Sequence, residues 1–299
     1  MASESDEHYR ATSAAGPAST EPVGARLSSS TTVAESDHAR AQRERDEAIQ
    51  HRYLIRFEQD VLTHRPLWLR VIIEFLGTFL LVVVAAGAGV INHYAGNNPI
   101  SRTAAVVAPG ALVMALIYAL GPLSGLHINP AVTLAFWGRR VFNTAWVIPY
   151  WIAQFAGAIL GALFLQAMFT HIAAGGTYPI MKAGGTWRSF VMEIVLTTIL
   201  VTVILHTATG YRSIGHNAAL AVGATIALLG LFASPISGAS MNPARSLGPD
   251  IIGNNFTGWW VYIAGPAIGA TIALLLMNLL RGLPDKEERE AAEGGALPM

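Results

Sequence analysis

One short phrase occurs twice in the chain. Residues Ser124–Ala131 read Ser-Gly-Leu-His-Ile-Asn-Pro-Ala, and residues Ser237–Ala244 read Ser-Gly-Ala-Ser-Met-Asn-Pro-Ala. Asn is a favoured helix N-cap and Pro is favoured at the first helical position, so each Asn-Pro-Ala marks a helix start. The side-chain oxygen of Asn129 or Asn242 accepts from the free N–H groups of its own helix, which leaves an NH₂ donor pointing outward. Ala131 and Ala244 are small enough to let another backbone approach. Pro130 and Pro243 fix the first turn. Only the second phrase continues into an arginine, Arg245.

Two such helix starts set tip to tip would bring together two positive ends, each worth about half a charge. Two Asn donors would project between them. The extended pieces before them would offer backbone carbonyls as a ladder of acceptors, from Gly125, Leu126 and His127 on one side and Gly238 and Ser240 on the other. A single file of small neutral polar molecules could exchange its hydration for that ladder. A water held by both Asn donors would donate outward to both sides, which interrupts a proton relay. The helix ends and the cost of desolvation oppose cations. Non-helical backbone at membrane depth is tolerated only where protein packs on it or a wet cavity lies beside it.

Elements able to hold this arrangement are legible. Of 299 residues 53% are hydrophobic and 13% charged, with mean hydropathy +0.44, about half the charged fraction of a soluble domain. Spans are expected at about 69–91, 103–121, 145–169, 187–208, 217–235 and 258–281, each near the roughly 20 apolar residues that cross a bilayer. The segments opened by Asn129 and Asn242 are too short to cross and are expected to re-enter. Glu74-x-x-x-Thr78 answers Glu193-x-x-x-Thr197. Gln154-x-x-Gly157-Ala158 answers Pro266-x-x-Gly269-Ala270. Two repeats follow, about 69–170 and 187–281. With three spans each, the second must enter the bilayer from the opposite side, with a site near the midplane.

The flanks differ. Residues 1–65 are polar and are expected to form a disordered or partly helical cytoplasmic tail. Residues 284–299 form a second cytoplasmic tail, and 66–283 the membrane domain. Basic residues near span ends favour both termini inside. Zero formal net charge gives no support to a nucleic-acid partner, and the absence of cysteine excludes disulfides and thiolate chemistry. No paired carboxylates, metal-spaced histidines or nucleophile constellation appears, so no enzyme, cofactor or metal is expected.

Residues Glu74, Ser124-Gly125, His127, Asn129-Pro130-Ala131-Val132-Thr133, Gln154, Glu193, Ser237-Gly238 and Asn242-Pro243-Ala244-Arg245-Ser246 resemble the motifs of the aquaporin family, the major intrinsic proteins. The resemblance spans about 66–283. It implies an all-α, right-handed bundle of six transmembrane helices with two re-entrant half-helices, as a homotetramer with one pore per subunit in the plasma membrane. It implies that Arg245 lines the selectivity constriction, and that the other constriction positions fall on Pro109, Gly230 and Ala239. Water-selective members usually carry Phe and His at the first two. Glu74 and Glu193 are implied to be structural buried acids behind the re-entrant loops. Ser246 and Tyr262 resemble water channels, whereas Ile263 and Asp250 depart from them. The expected function is a passive channel for water and small uncharged solutes such as glycerol, excluding protons and ions. The rivals are a strict water channel, a proton-coupled secondary transporter, and a poorly conducting structural protein in which Pro109 kinks a helix into the pore.

Overall fold

The structure, a computed structural model, describes residues 66–179, 184–208 and 217–284. The expectations for the tail 1–65 and for 285–299 lie outside the described residues, as do Lys182 and Arg212, two of the basic residues near span ends on which the expected orientation rests. Eight α-helices are present among the described residues, with no strand: α1 (Leu67–Ala95), α2 (Arg102–Ser124), α3 (Pro130–Gly138), α4 (Thr144–Phe169), α5 (Gly185–Ala208), α6 (Ala218–Ser237), α7 (Pro243–Gly253) and α8 (Val261–Arg281). A 3₁₀ turn, Ile172–Gly175, follows α4. Among the described residues, six helices are long and apolar enough to cross a membrane. Their long runs of Leu, Val, Ile and Ala suit a medium in which every backbone polar group must be satisfied within its own segment. Large apolar side chains such as Trp68, Ile152, Leu228 and Leu279 stand on the outer surface, where lipid replaces water as the favoured contact. α2 runs without a break through Pro109.

The two repeats interlock. α1 packs on α4, α5 on α8, and α2 on α6, while half-helix α7 lies against α4 and half-helix α3 against α8. Each short helix is therefore seated on a long helix of the other repeat. The α1–α4 and α5–α8 contacts use the same device. A Cβ added to Gly157 would fall 2.2 Å from the Phe75 carbonyl oxygen, and one added to Gly269 would fall 2.6 Å from that of Ile194. Phe75 and Ile194 each directly follow a buried glutamate, and Gly157 and Gly269 occupy equivalent repeat positions. Small residues at both crossings bring the backbones together, the usual way membrane helices gain packing energy without a hydrophobic driving force.

At the end of the bundle opposite Arg245, two arginines are inside the protein. Arg139, 1% exposed, donates from Nη1 to Asn278 Oδ1 and to the Gly282 carbonyl, and so satisfies a free carbonyl at the C-terminus of α8. Arg70 is also buried, with its guanidinium 4.6 Å over the Trp146 ring. Sequence counting treats both as flanking charges, whereas each has a structural partner.

Candidate functional site

α3 and α7 begin at Asn129 and Asn242. Asn129 Oδ1 accepts from Ala131 N at 2.9 Å. Asn242 Oδ1 accepts from Ala244 N at 3.0 Å and Arg245 N at 3.2 Å. Pro130 and Pro243 occupy the first turn of each helix. At about 1.5 Å per residue, neither half-helix could cross a bilayer. Each Asn amide also reaches the opposite repeat. Asn129 Nδ2 donates to the Met241 carbonyl and Asn242 Nδ2 to the Ile128 carbonyl, both at 2.8 Å. One amide hydrogen of each Asn is thereby fixed across the interface. The other remains for a molecule between the helix tips. This reciprocal bond corrects the simple expectation that the whole NH₂ group faces outward.

The approach to each tip is held open by strained backbone. Gly125, Leu126 and Ile128 have φ of 83°, 44° and 42°, and Gly238, Ala239 and Met241 have φ of 80°, 49° and 54°. Positive φ is unusual for non-glycine residues and most so for the β-branched Ile128. Such conformations cost on the order of 1–3 kcal/mol each and persist only where surroundings enforce them. The two buried acids do the enforcing. Glu74, 0% exposed, accepts from Ser124 Oγ (3.0 Å), His127 N (2.8 Å), Ile128 N (2.6 Å) and Gln154 Nε2 (2.8 Å). Glu193, also 0% exposed, accepts from Ser237 Oγ (2.7 Å), Ser240 N (2.9 Å) and Met241 N (2.7 Å). Ser124 Oγ and Ser237 Oγ in turn accept from Leu126 N and Ala239 N. With loop N–H groups drawn toward the acids, the loop carbonyls are free to face the other way.

Two tyrosines complete this scaffold. Tyr150 Oη donates to the Ser124 carbonyl and Tyr262 Oη to the Ser237 carbonyl, both at 2.7 Å. Sequence reasoning assigned no scaffold role to either residue. The available signal was the repeat itself, since each tyrosine lies four residues before the paired positions Gln154 and Pro266. The His127 ring is buried, lies 3.1 Å from Thr133 Oγ1 through Nδ1 and stacks on Phe136 at 4.7 Å, so its side chain is fixed away from solute.

A cavity of about 220 Å³ lies between the repeats. Its lining includes Asn129 and Asn242, the loop residues Gly125, Leu126, His127, Gly238 and Ser240, and Pro109, Gly230, Ala239 and Arg245. The facing wall is apolar, with Leu81, Val113, Val222 and Ile226 among its residues. Pro130, Ala131, Pro243 and Ala244 sit behind the lining as the buried first turns. Arg245 Nη2 donates to the Ala85 carbonyl at 3.1 Å and Nη1 to that of Gly175 at 3.4 Å. Gly230 has a second constraint that sequence offsets do not show. A Cβ there would stand 2.9 Å from Val106 Cβ, so this glycine both borders the cavity and lets α6 approach α2.

The bifurcated cap on α7 makes a directional prediction. Asn242→Ala removes acceptors from two N–H groups and Asn129→Ala from one, and cap losses cost about 0.5–2 kcal/mol each. Denaturation in detergent should rank Asn242→Ala as the less stable variant. The reverse order would contradict this capping geometry.

Six spans, two opposed half-helices and a cavity between them define a membrane pore. Residues 61–277 match the family model of the major intrinsic proteins. Aquaporin NIP1-1 of Oryza sativa subsp. japonica is 44% identical over 233 residues, 77% of this chain and 80% of the relative. Aquaporin NIP2-2 of Zea mays is 44% identical over 212 residues, 71% of each chain. The X-ray structure of the aquaglyceroporin from Plasmodium falciparum superposes with a TM-score of 0.61 at 24% identity, over 71% of this chain and 96% of that one, a likeness of fold. The chain belongs to the major intrinsic protein family. It is a multi-pass membrane channel for water and small solutes, not an enzyme.

Proposed function

We propose that the channel passes glycerol-sized uncharged solutes as well as water, and that Pro109, Gly230, Ala239 and Arg245 form its selectivity constriction. One observation carries this reading: the four residues border one cavity, and three of them, Pro109, Gly230 and Ala239, are small and carry no polar side-chain group. Arg245 supplies donors to a passing hydroxyl and repels cations. The apolar wall accommodates carbon, so an alcohol meets oxygen partners on one side and apolar contacts on the other. The remaining amide hydrogen of each Asn holds the solute at the centre, and the carbonyls of Gly125, Leu126, His127, Gly238 and Ser240 replace its lost hydration. Glu74 and Glu193 act as scaffold. Three or more fixed donors surround each carboxylate, which leaves no role for proton coupling.

The channel domain is 66–283, flanked by the two tails. The exposed apolar surface is suited to lipid and to neighbouring subunits, in keeping with a homotetramer in the plasma membrane. Four arginines, Arg70, Arg139, Arg140 and Arg281, lie near one end and two, Arg102 and Arg188, near the other, a bias that supports both termini in the cytoplasm and Arg245 toward the outside, although the burial of Arg70 and Arg139 weakens it.

Narrowing the constriction tests the reading. Gly230→Val adds bulk at the cavity wall, where its Cβ also presses on Val106, and in a variant that still folds it should lower glycerol flux about tenfold or more while water flux falls less, since each 1.4 kcal/mol of barrier is tenfold in rate. Stopped-flow light scattering on proteoliposomes measures both. An unchanged ratio of glycerol to water flux in a folded variant would remove Gly230 from the constriction.

A further inference from the structure

The last turn of α1 and the residue just before the 3₁₀ turn bring two histidines together. The rings of His93 and His171 have centroids 4.5 Å apart and are inclined by 65°, although 78 positions separate them in sequence. Both are exposed, and neither takes part in the pore lining. We propose that they form a two-imidazole site for a divalent transition-metal ion at the Arg245 end of the bundle.

The geometry suits the chemistry. Metal–imidazole bonds are about 2.0–2.1 Å, so two nitrogens on one ion stand about 3 Å apart. Rings at this separation reach that spacing by turning about their side-chain bonds, and exposure leaves them free to turn. Among the described residues no group of three His, Cys, Asp or Glu could hold a metal, so water completes the shell. Imidazole ligands select Cu²⁺ ahead of Zn²⁺ and Ni²⁺, while Mg²⁺ and Ca²⁺ prefer oxygen and are not retained.

The position gives the site a consequence. His171 leads directly into Ile172–Gly175, whose last carbonyl accepts from Arg245 Nη1, and α1 carries Ala85, whose carbonyl accepts from Nη2. A metal bridging His93 and His171 would clamp together the two elements that hold the Arg245 guanidinium.

The test uses the full chain without a histidine tag, titrated with Cu²⁺ by calorimetry. The other histidines, including those of the N-terminal region, supply background sites that every variant keeps. His93→Ala, His171→Ala and the double variant should all lose the same one site per chain, or weaken it about tenfold or more, because the second imidazole acts at high effective concentration. His93→Gln and His171→Gln should behave as the alanines do. Zn²⁺ should raise the thermal midpoint of the wild type and not of the variants. Equal Cu²⁺ binding in all proteins, or loss only in the double variant, would overturn the site. An equal Zn²⁺ effect on the variants would overturn the clamp.

Discussion

Glu193→Ala is expected to abolish flux and to leave little folded protein in detergent. The carboxylate accepts from Ser237 Oγ, Ser240 N and Met241 N, and nothing else in the loop takes over those donors. Each buried N–H left without an acceptor costs about 1–3 kcal/mol. Ala239 and Met241 also lose what holds them at φ of 49° and 54°. The sum is on the order of 5 kcal/mol, comparable to the whole stability of many proteins. Glu193→Gln keeps the shape but turns one acceptor into a donor facing N–H or O–H groups, so it should also be impaired, less severely. Glu74→Ala should follow the same pattern. Thermal unfolding followed by tryptophan fluorescence, beside water flux, reads both effects. A folded Glu193→Gln with normal passive flux, and solute transport that ceases to respond to a proton gradient, would instead mark the acid as a coupling group.

Arg245→Ala should leave the channel folded and open but less selective. Among the described residues that line the cavity, Arg245 is the only Lys or Arg. Its guanidinium bonds end on the Ala85 and Gly175 carbonyls; Ala85 lines the cavity, so a water entering the space left by the side chain can replace the donor there. Stability should therefore change little. Two unit charges 4 Å apart interact by about 4 kcal/mol at an effective dielectric near 20, so removing this one should raise cation permeability by up to about a thousandfold from its low base. The half-charges at the two helix tips remain, so exclusion weakens without vanishing. Arg245→Lys separates the two contributions of the side chain. It should restore cation exclusion while leaving glycerol recognition impaired, because a single ammonium does not reproduce the planar donor fork. Cation leak measured with a potential-sensitive dye in proteoliposomes checks this, and an unchanged leak in Arg245→Ala would remove the arginine from the ion barrier.

Much of this architecture is local in origin and therefore legible in the chain. Asn129-Pro130 and Asn242-Pro243 announce helix starts because capping involves residues two or three apart. The pairing of Glu74 with Glu193 and of Gly157 with Gly269 discloses the duplication, and duplication with three spans dictates inversion. Long-range contacts are another matter. That Asn129 Nδ2 ends on Met241 and Asn242 Nδ2 on Ile128 depends on loops more than a hundred residues apart meeting in register. The positive φ of Ile128 runs against its residue type, and becomes intelligible only once the Glu74 carboxylate is seen pulling on its N–H. Arg139 reads as a flanking charge until Asn278 and Gly282 are found beside it. Offsets from the Asn residues place Gly230 near the constriction, yet only the structure shows Val106 pressed against it.

The most direct test of the proposed solute range is the response of proteoliposomes containing the wild-type chain to an inward glycerol gradient. Such vesicles should shrink as water leaves and then re-swell, faster than empty vesicles and with no dependence on a proton or sodium gradient, as glycerol follows through the pore. Rapid shrinkage with re-swelling no faster than in empty vesicles would contradict a glycerol-permeable constriction and leave a strict water channel.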